Sequence, residues 1–375
     1  MFKQPKRKLL SLFLMAGTLL GAFCMGKQLV NILEAGRQQI AEAGEAAIRA
    51  ARRVKEASAQ WIETASASQI NFLIVGMDDA WSGSDVIMLA SLNADEGSLR
   101  IVQIPRDTYI NRENSQNHKL NSVFANAIAA AHQSGQQGAE AIHTASRSLV
   151  SFLETNLGVP IDHYVTLRTG GLRAIVDAVG GVTLTIPRDI DYDDNSQDLH
   201  IHLKAGKQTL NGEEAEQFVR FRSGYLTADY GRMDAQKIFL AALFKKIKQD
   251  FSLSRAISLA TTCYKQVESD LGLADLIPLV RGAMQISDEN VKMITLKGQS
   301  AKDENGILCE VLSRSYAIDL LTEYLLPRGK SSADLSFDPH GVFTAPGEID
   351  KIYQGSAPYS KSGVSFDESD RINIR

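Results

Sequence analysis

The chain has 375 residues, 44% of them hydrophobic and 22% charged, with a formal net charge of −4. That is globular composition, long enough for one large domain or two small ones. The acidic balance argues against a general nucleic-acid binder, so no nucleic-acid partner is expected and any anion site must be local.

Lys3, Lys6, Arg7 and Lys8 precede an uncharged run from Leu9 to Gly26. As a helix this run spans roughly 27 Å at about 1.5 Å per residue, enough for a bilayer core. The basic flank should stay cytoplasmic, which puts the rest of the chain outside. A cleaved signal peptide is the alternative. The anchor is preferred because no clean small-x-small cleavage site precedes the next helical segment. Residues 1–27 are therefore expected to be a cytoplasmic tip and a single membrane anchor, with an extracellular domain behind them.

Residues 28–69 read as an Ala-rich helical stalk. Leu33, Ile40, Ala47, Val54 and Trp61 recur at heptad spacing, with Gly36, Ala43, Ala50 and Ala57 at the second seam position. Such a seam suits a weak homodimer, or a single helix leaning on its own domain, because small residues bury little area.

The globular part is expected over residues 70–327. Asn71–Gly76, Val86–Leu92 and Leu99–Ile104 read as strands, the last two joined by the turn Asp95-Glu96-Gly97. Helices are expected at Asn121–His132 and Gly138–Asn156, then a strand at Tyr164–Leu167, a helix at Gly171–Val179 and a strand at Val182–Ile186. Further helices follow at Glu213–Phe221, Asp229–Gln249, about Ser254–Val267 and Leu273–Met284. A strand at Val291–Leu296 and a helix at Tyr316–Tyr324 close the pattern. Alternating strands and helices with an early hairpin predict an α/β fold: a mixed central sheet with helices on both faces. Composition then shifts to Gly, Ser, Asp and Pro, so 328–375 is expected to be a flexible C-terminal tail.

Of the three cysteines, Cys24 falls in the anchor. Cys263 and Cys309 suit either a disulfide or two buried thiols.

Several strand ends carry candidate chemistry. Asp78 and Asp85 flank adjacent strands and are spaced to share a hard cation such as Mg²⁺; both also read as turn residues. Pro105 throws Arg106 and Asp107 into a loop. Lys119 and Asn121 stand at a helix start, a place that favours phosphate. The run Asp189–Asp198 lacks the glycine and distal glutamate of an EF-hand loop and reads as a solvated acidic loop. His200 and His202 alternate with Leu199, Ile201 and Leu203, as on the outer face of a strand.

The densest segment runs from Phe218 to Gln236. Arg220 and Arg222 end one helix, and Asp229, Arg232 and Gln236 share one face of the next at i, i+3, i+7. Guanidinium forks match phosphate oxygens, so the segment reads as a phosphate grip.

Taken in order, these segments resemble the LytR-CpsA-Psr family of cell-wall ligases. The resemblance rests on Gly76-Met77-Asp78, Ser84-Asp85, Ile104-Pro105-Arg106-Asp107-Thr108, Lys119-Leu120-Asn121, Val176 through Val182, Leu199 through Leu203, Leu210-Asn211-Gly212, Val219 through Arg222, and Asp229 through Arg232. It is close over about 70–249 and looser to about Leu326. Ser84 and Ala235 stand where the family usually or often has arginine, which leaves the grip short of basic residues.

The resemblance implies an enzyme at the outer face of the cell membrane. It would move a glycopolymer from an undecaprenyl-pyrophosphate carrier to peptidoglycan as a Mg-dependent phosphotransferase. Asp78 and Asp85 would hold Mg²⁺. Arg106, Lys119, Asn121, Arg220, Arg222, Arg232 and Gln236 would bind the pyrophosphate. Asp107 and Asp229 would orient the arginines or take the acceptor proton. A polyprenyl-phosphate hydrolase and a non-catalytic envelope regulator are the alternatives.

Overall fold

The computed structural model describes residues 69–77, 83–93, 95–112, 117–186, 188–195, 199–222, 225, 229–249, 266–271, 286, 288–345, 350–351 and 364–365. The expected anchor Leu9–Gly26 and the stalk through Ser68 lie outside them. Gln69, expected at the end of the stalk, instead opens the first strand. Among the described residues no helix is long and apolar enough to cross a membrane.

The strands are β1 (Gln69–Met77), β2 (Ser84–Asn93), β3 (Ser98–Ile104), β4 (His163–Arg168), β5 (Val182–Ile186), β6 (Ile190–Asp194), β7 (Leu199–Leu203), β8 (Gly206–Leu210), β9 (Val267–Ser269), β10 (Val291–Thr295), β11 (Gly298–Lys302), β12 (Leu308–Leu312), β13 (Asp350–Lys351) and β14 (Val364–Ser365). The helices are α1 (Asn121–Gln133), α2 (Gly138–Leu157), α3 (Thr169–Ala178), α4 (Gly212–Arg220), α5 (Asp229–Gln249) and α6 (Arg314–Leu325).

A seven-stranded sheet runs in the order β14-β10-β3-β2-β1-β4-β9. β2 is antiparallel to both β1 and β3, while β4 is parallel to β1 and β10 is parallel to β3. The sheet is therefore mixed, as expected. β1, β3, β4 and β10 all end at one edge, where β2 begins. Gly97 sits in the β2–β3 turn at φ 56°, a region that a Cβ disfavours.

The strands alternate strictly between two cores. Phe72, Met88, Ala90 and Ile101 face one side, where α3, α4 and α5 contribute Val176, Phe218 and Phe239. Leu73, Val75, Ile87, Leu89 and Val102 face the other, packed by Phe124, Leu149 and Leu321 from α1, α2 and α6. Helices thus cover both faces of the sheet, because each strand is apolar at both parities.

α4 is fixed at its start by a capping box. The Asn211 side chain accepts from the Glu214 N–H at 3.0 Å and Glu214 accepts from the Asn211 N–H at 2.9 Å. α2 stops at Gly158, whose φ of 71° ends the helix, and a Cβ there would strike the backbone of Ser336.

Ser336 belongs to the segment expected to be flexible. Leu335, Phe337 and Phe343 are instead buried in the second core. Phe337 and Phe343 stack at 5.9 Å and Phe152 of α2 meets Phe343 edge-on at 6.1 Å. Sparse apolar residues in a polar stretch are enough to dock it when two are aromatic.

Two other expectations change, and of the two readings open for Cys309 the buried thiol is the one found. Ile190–Asp194, read as part of a solvated loop, is a strand paired to β7. Val267, read as a helix end, opens the edge strand β9 against β4. Cys309 is a buried free thiol in β12, while Cys263 lies outside the described residues.

Candidate active site

The shared edge of the sheet gathers the site. Met77 ends β1, Arg168 ends β4, Arg106 follows β3 by two residues and Asp85 stands near the start of β2. Ligands of α/β sheets collect outside such carboxyl ends.

The loop carrying Arg106 and Asp107 is tied down from several directions. The Thr108 N–H and hydroxyl both donate to the Pro105 carbonyl, at 3.0 and 2.7 Å. The Asn121 N–H donates to the Arg106 carbonyl at 3.0 Å, and the Glu310 N–H donates to the Asp107 carbonyl at 2.9 Å. α1 and β12 therefore clamp the loop from two sides. Arg106 pairs with Asp85, and Lys119 Nζ pairs with Asp107 Oδ1 at 3.2 Å.

The junction from α4 to α5 supplies the remaining guanidiniums. Arg220 is the last residue of α4 and pairs with Glu216 at 2.8 Å; Glu216 also takes Arg173 Nε at 3.2 Å. Phe221 then leaves the helix at φ −59°, ψ 133°, and its buried ring meets Tyr192 and Tyr225 edge-on at 6.3 and 5.2 Å. Arg222 follows, exposed. On the first turns of α5, Arg232 pairs with Asp229 at 2.7 Å. Gln236 accepts from Gln103 Nε2 at 2.6 Å and donates to the Val219 carbonyl at 3.2 Å, bridging β3 to α4. Gly231 lies against Tyr225 so closely that a Cβ would overlap the Tyr225 side chain.

A cavity of about 370 Å³ opens between the sheet and these helices. Its mouth carries Asp85, Arg106, Arg168, Arg220, Arg222 and Arg232. Its walls are apolar: Ile74, Val86 and Leu167 from the sheet, Leu172 from α3, Val219 from α4 and Leu240 from α5. These six are only partly buried in a fold that buries most of its apolar side chains. Tyr192 and Leu199 of the β6–β7 hairpin add a further wall.

Electrostatics at the mouth are divided. Burial opposes the charge on Arg106, but the carboxylates of Asp85, Asp107 and Asp229 outweigh it and raise its pKa. Arg232 is lowered, chiefly by burial, with Asp229 opposing and Arg106 adding to the shift. An anion entering the mouth would offset what burial costs Arg232. Beside them Glu310 accepts from Tyr230 at 2.8 Å and from Ser300 at 2.6 Å. Its pKa is raised, first by burial, against those two hydrogen bonds and with help from Asp107 and Asp229.

Of the residues expected to act, Asp85, Arg106, Arg220, Arg222, Arg232 and Gln236 line the cavity. Asp107 and Asp229 stand behind them as partners of Lys119, Arg106 and Arg232. Lys119 and Asn121 do not line the cavity; Asn121 meets the site through its backbone N–H. Asp78 lies outside the described residues. Sequence reasoning missed Arg168, whose place at a strand end before a helix was the available signal. It also missed Arg173 and Glu310, which reach the site only through tertiary contacts.

The fold thus builds, at the end of a mixed α/β sheet, a cavity with arginines at its mouth and a partly buried apolar lining. The chain belongs to the LytR_cpsA_psr family, whose model matches residues 34–321. It is 26% identical over 234 residues to the polyisoprenyl-teichoic acid–peptidoglycan teichoic acid transferase TagV of Bacillus subtilis (strain 168), covering 61% of this chain and 56% of that one. It is 28% identical over 250 residues to a transferase TagU of Bacillus cereus, covering 66% and 74% of the two chains. The crystal structure of B. subtilis TagV shares the fold at TM-score 0.54 and 21% identity, covering 69% of this chain and 99% of that one. TagT bound to LIIa-WTA does so at TM-score 0.52 and 23% identity, covering 68% and 89%.

Proposed function

We propose that this protein transfers a glycopolymer from a polyprenyl-pyrophosphate carrier to peptidoglycan, working at the outer face of the membrane that its N-terminal segment spans. The observation that carries this reading is the cavity: a ring of guanidiniums continuous with an apolar sleeve. A pyrophosphate diester carries about two negative charges, and a polyprenyl tail needs a dry slot. The names of the curated relatives favour teichoic acid as the polymer.

In the reaction an acceptor hydroxyl attacks the phosphorus next to the glycan. A new P–O bond forms, the P–O–P bridge breaks, and polyprenyl phosphate leaves with the bridging oxygen. The protein's part is positioning and charge neutralisation, which dominate phosphoryl transfer. Arg106 and Arg232 face the non-bridging oxygens, and Arg220 and Arg222 close the mouth from the junction between α4 and α5. Asp107 and Asp229 orient those cations. Whichever of the two lies nearer the acceptor takes its proton.

The proposal includes a magnesium ion. Asp85 offers a carboxylate at the rim that is 45% exposed, and hard oxygen donors suit this ion. Asp85 and Asp78 would hold it, and it would supply charge neutralisation at the pyrophosphate.

The test is to incubate the full-length protein in detergent with lipid-linked glycan, Mg²⁺ and peptidoglycan fragments. Joined product together with released polyprenyl phosphate is expected. No joined product, where a known ligase gives one, overturns the reading. Free phosphorylated glycan without joining would make the protein a hydrolase.

A further inference from the structure

The β6–β7 hairpin carries four potential ligands on one face. Its register sets Asp191 opposite His202 and Asp193 opposite His200, with Tyr192 opposite Ile201 between them. Side chains alternate across a strand, so the two acids and two imidazoles share the outer face. Tyr192 and Ile201 turn inward: Ile201 is fully buried and Tyr192 lines the cavity.

The outward groups already converge. His202 Nδ1 lies 2.7 Å from Asp191 Oδ1, and His200 Nδ1 lies 2.6 Å from Asp193 Oδ1. His202 Nε2 lies 3.5 Å from the same Asp193 oxygen. All four side chains are exposed, from 49% for His200 to 84% for Asp191. The nearby cation, Lys204, pairs with Asp189 at 2.9 Å on the adjoining rung.

We propose that this face binds a divalent transition metal of the zinc class through Asp191, Asp193 and His202, whose ligand atoms lie within 4.8 Å of one another, with His200 holding Asp193 from the side. A tetrahedral zinc with bonds of about 2.0–2.1 Å sets its ligand atoms about 3.3 Å apart. His202 binds through one ring nitrogen, so its Nδ1 contact to Asp191, now 2.7 Å, opens by about 0.6 Å through rotation of exposed side chains. Two carboxylates balance the ion's charge. The His202 imidazole favours zinc, nickel or copper over magnesium, which prefers oxygen. The site is separate from the cavity mouth and does not depend on the reaction proposed above.

Occupancy has a structural effect on the cavity. The metal ties β6 to β7 on the outside while Tyr192 packs edge-on against Phe221 on the inside. Phe221 lies between Arg220 and Arg222, so bracing the hairpin braces the wall behind both arginines.

The experiment is calorimetric titration of full-length, chelator-stripped protein in detergent with Zn²⁺, in excess Mg²⁺. One saturable zinc per chain is expected. His202→Ala should weaken it by about tenfold or more, the loss that even outer-shell partners produce. The double variant H200A/H202A should abolish it, and H340A, at an exposed histidine elsewhere, should leave it unchanged. Circular dichroism checks that each variant is folded. Absence of saturable zinc, displacement by Mg²⁺, or unchanged affinity in H200A/H202A overturns the proposal.

Discussion

Asp85 and Arg106 lie two positions beyond Ile87 and Ile104, where the β2–β3 ladder ends, and their side chains pair there. The ion pair is thus set jointly by the end of the ladder and by the hydrogen-bonded loop that carries Arg106. Two opposed charges at the end of a rigid ladder make a preorganised anion and cation site.

Breaking that pair should reach the chemistry directly. R106K keeps the charge but loses the planar fork, and D85N removes the pairing negative charge. Each is expected to slow transfer by about 10²-fold or more, the scale of losing one preorganised charge-stabilising donor. Initial rates of joined product, with folding checked by circular dichroism, measure it. Rates within about threefold of wild type would refute the role.

Arg168 stands two strands from Asp85, on the far side of β1. It lines the cavity together with Arg106, Arg220 and Arg232. R168A should raise the carrier KM several-fold while kcat stays nearly constant, because the contact serves ground state and transition state alike. A loss confined to kcat would contradict this assignment.

The sleeve makes a prediction about chain length. Leu172 and Leu240 face it from α3 and α5. L172W would occupy the slot while keeping the surface apolar. Activity should fall steeply for long polyprenyl carriers and little for carriers cut to a few isoprene units. Comparing kcat/KM across a carrier series tests it; equal loss at every length would count against a lipid in this cavity.

Glu310 gives a pH signature. Its folded-state pKa is raised above the ordinary value of 4.5, first by burial. The native state therefore holds the proton more tightly than the unfolded chain. Unfolding free energy should fall as pH rises from about 4.5 through the raised native value, then level off. E310Q should flatten that fall in thermal unfolding scans. An unchanged profile would show that Glu310 is not the group responsible.

Much of this was legible from residue order. Short, nearly continuous apolar runs marked β1, β2 and β3, and the spacing of Asp229, Arg232 and Gln236 put them on one helical face. The strands that escaped notice were polar outside. In β6 the outward Asp191 and Asp193 hid the inward Ile190 and Tyr192, so a strand read as an acidic loop. β11 carries too few apolar residues to show a period, and β12 (Leu308–Leu312) is a short apolar run without alternation, so Glu310 went unnoticed with them. Gln236 was legible as a site residue, but its bridge from Gln103 to Val219 depends on partners far away in sequence.

The partly buried lining of the cavity also bears on how the protein must be handled. Ile74, Val86, Leu167, Leu172, Val219 and Leu240 form a stretch of hydrophobic core with one side missing. A chain that fills the slot completes that core, so its binding is coupled to folding in the manner of a prosthetic group. Protein stripped of lipid should melt earlier and be cut sooner by proteases than protein carrying an apolar guest. Detergent chosen for extraction then becomes a competing occupant, and loss of activity on purification would report an altered guest rather than a damaged enzyme.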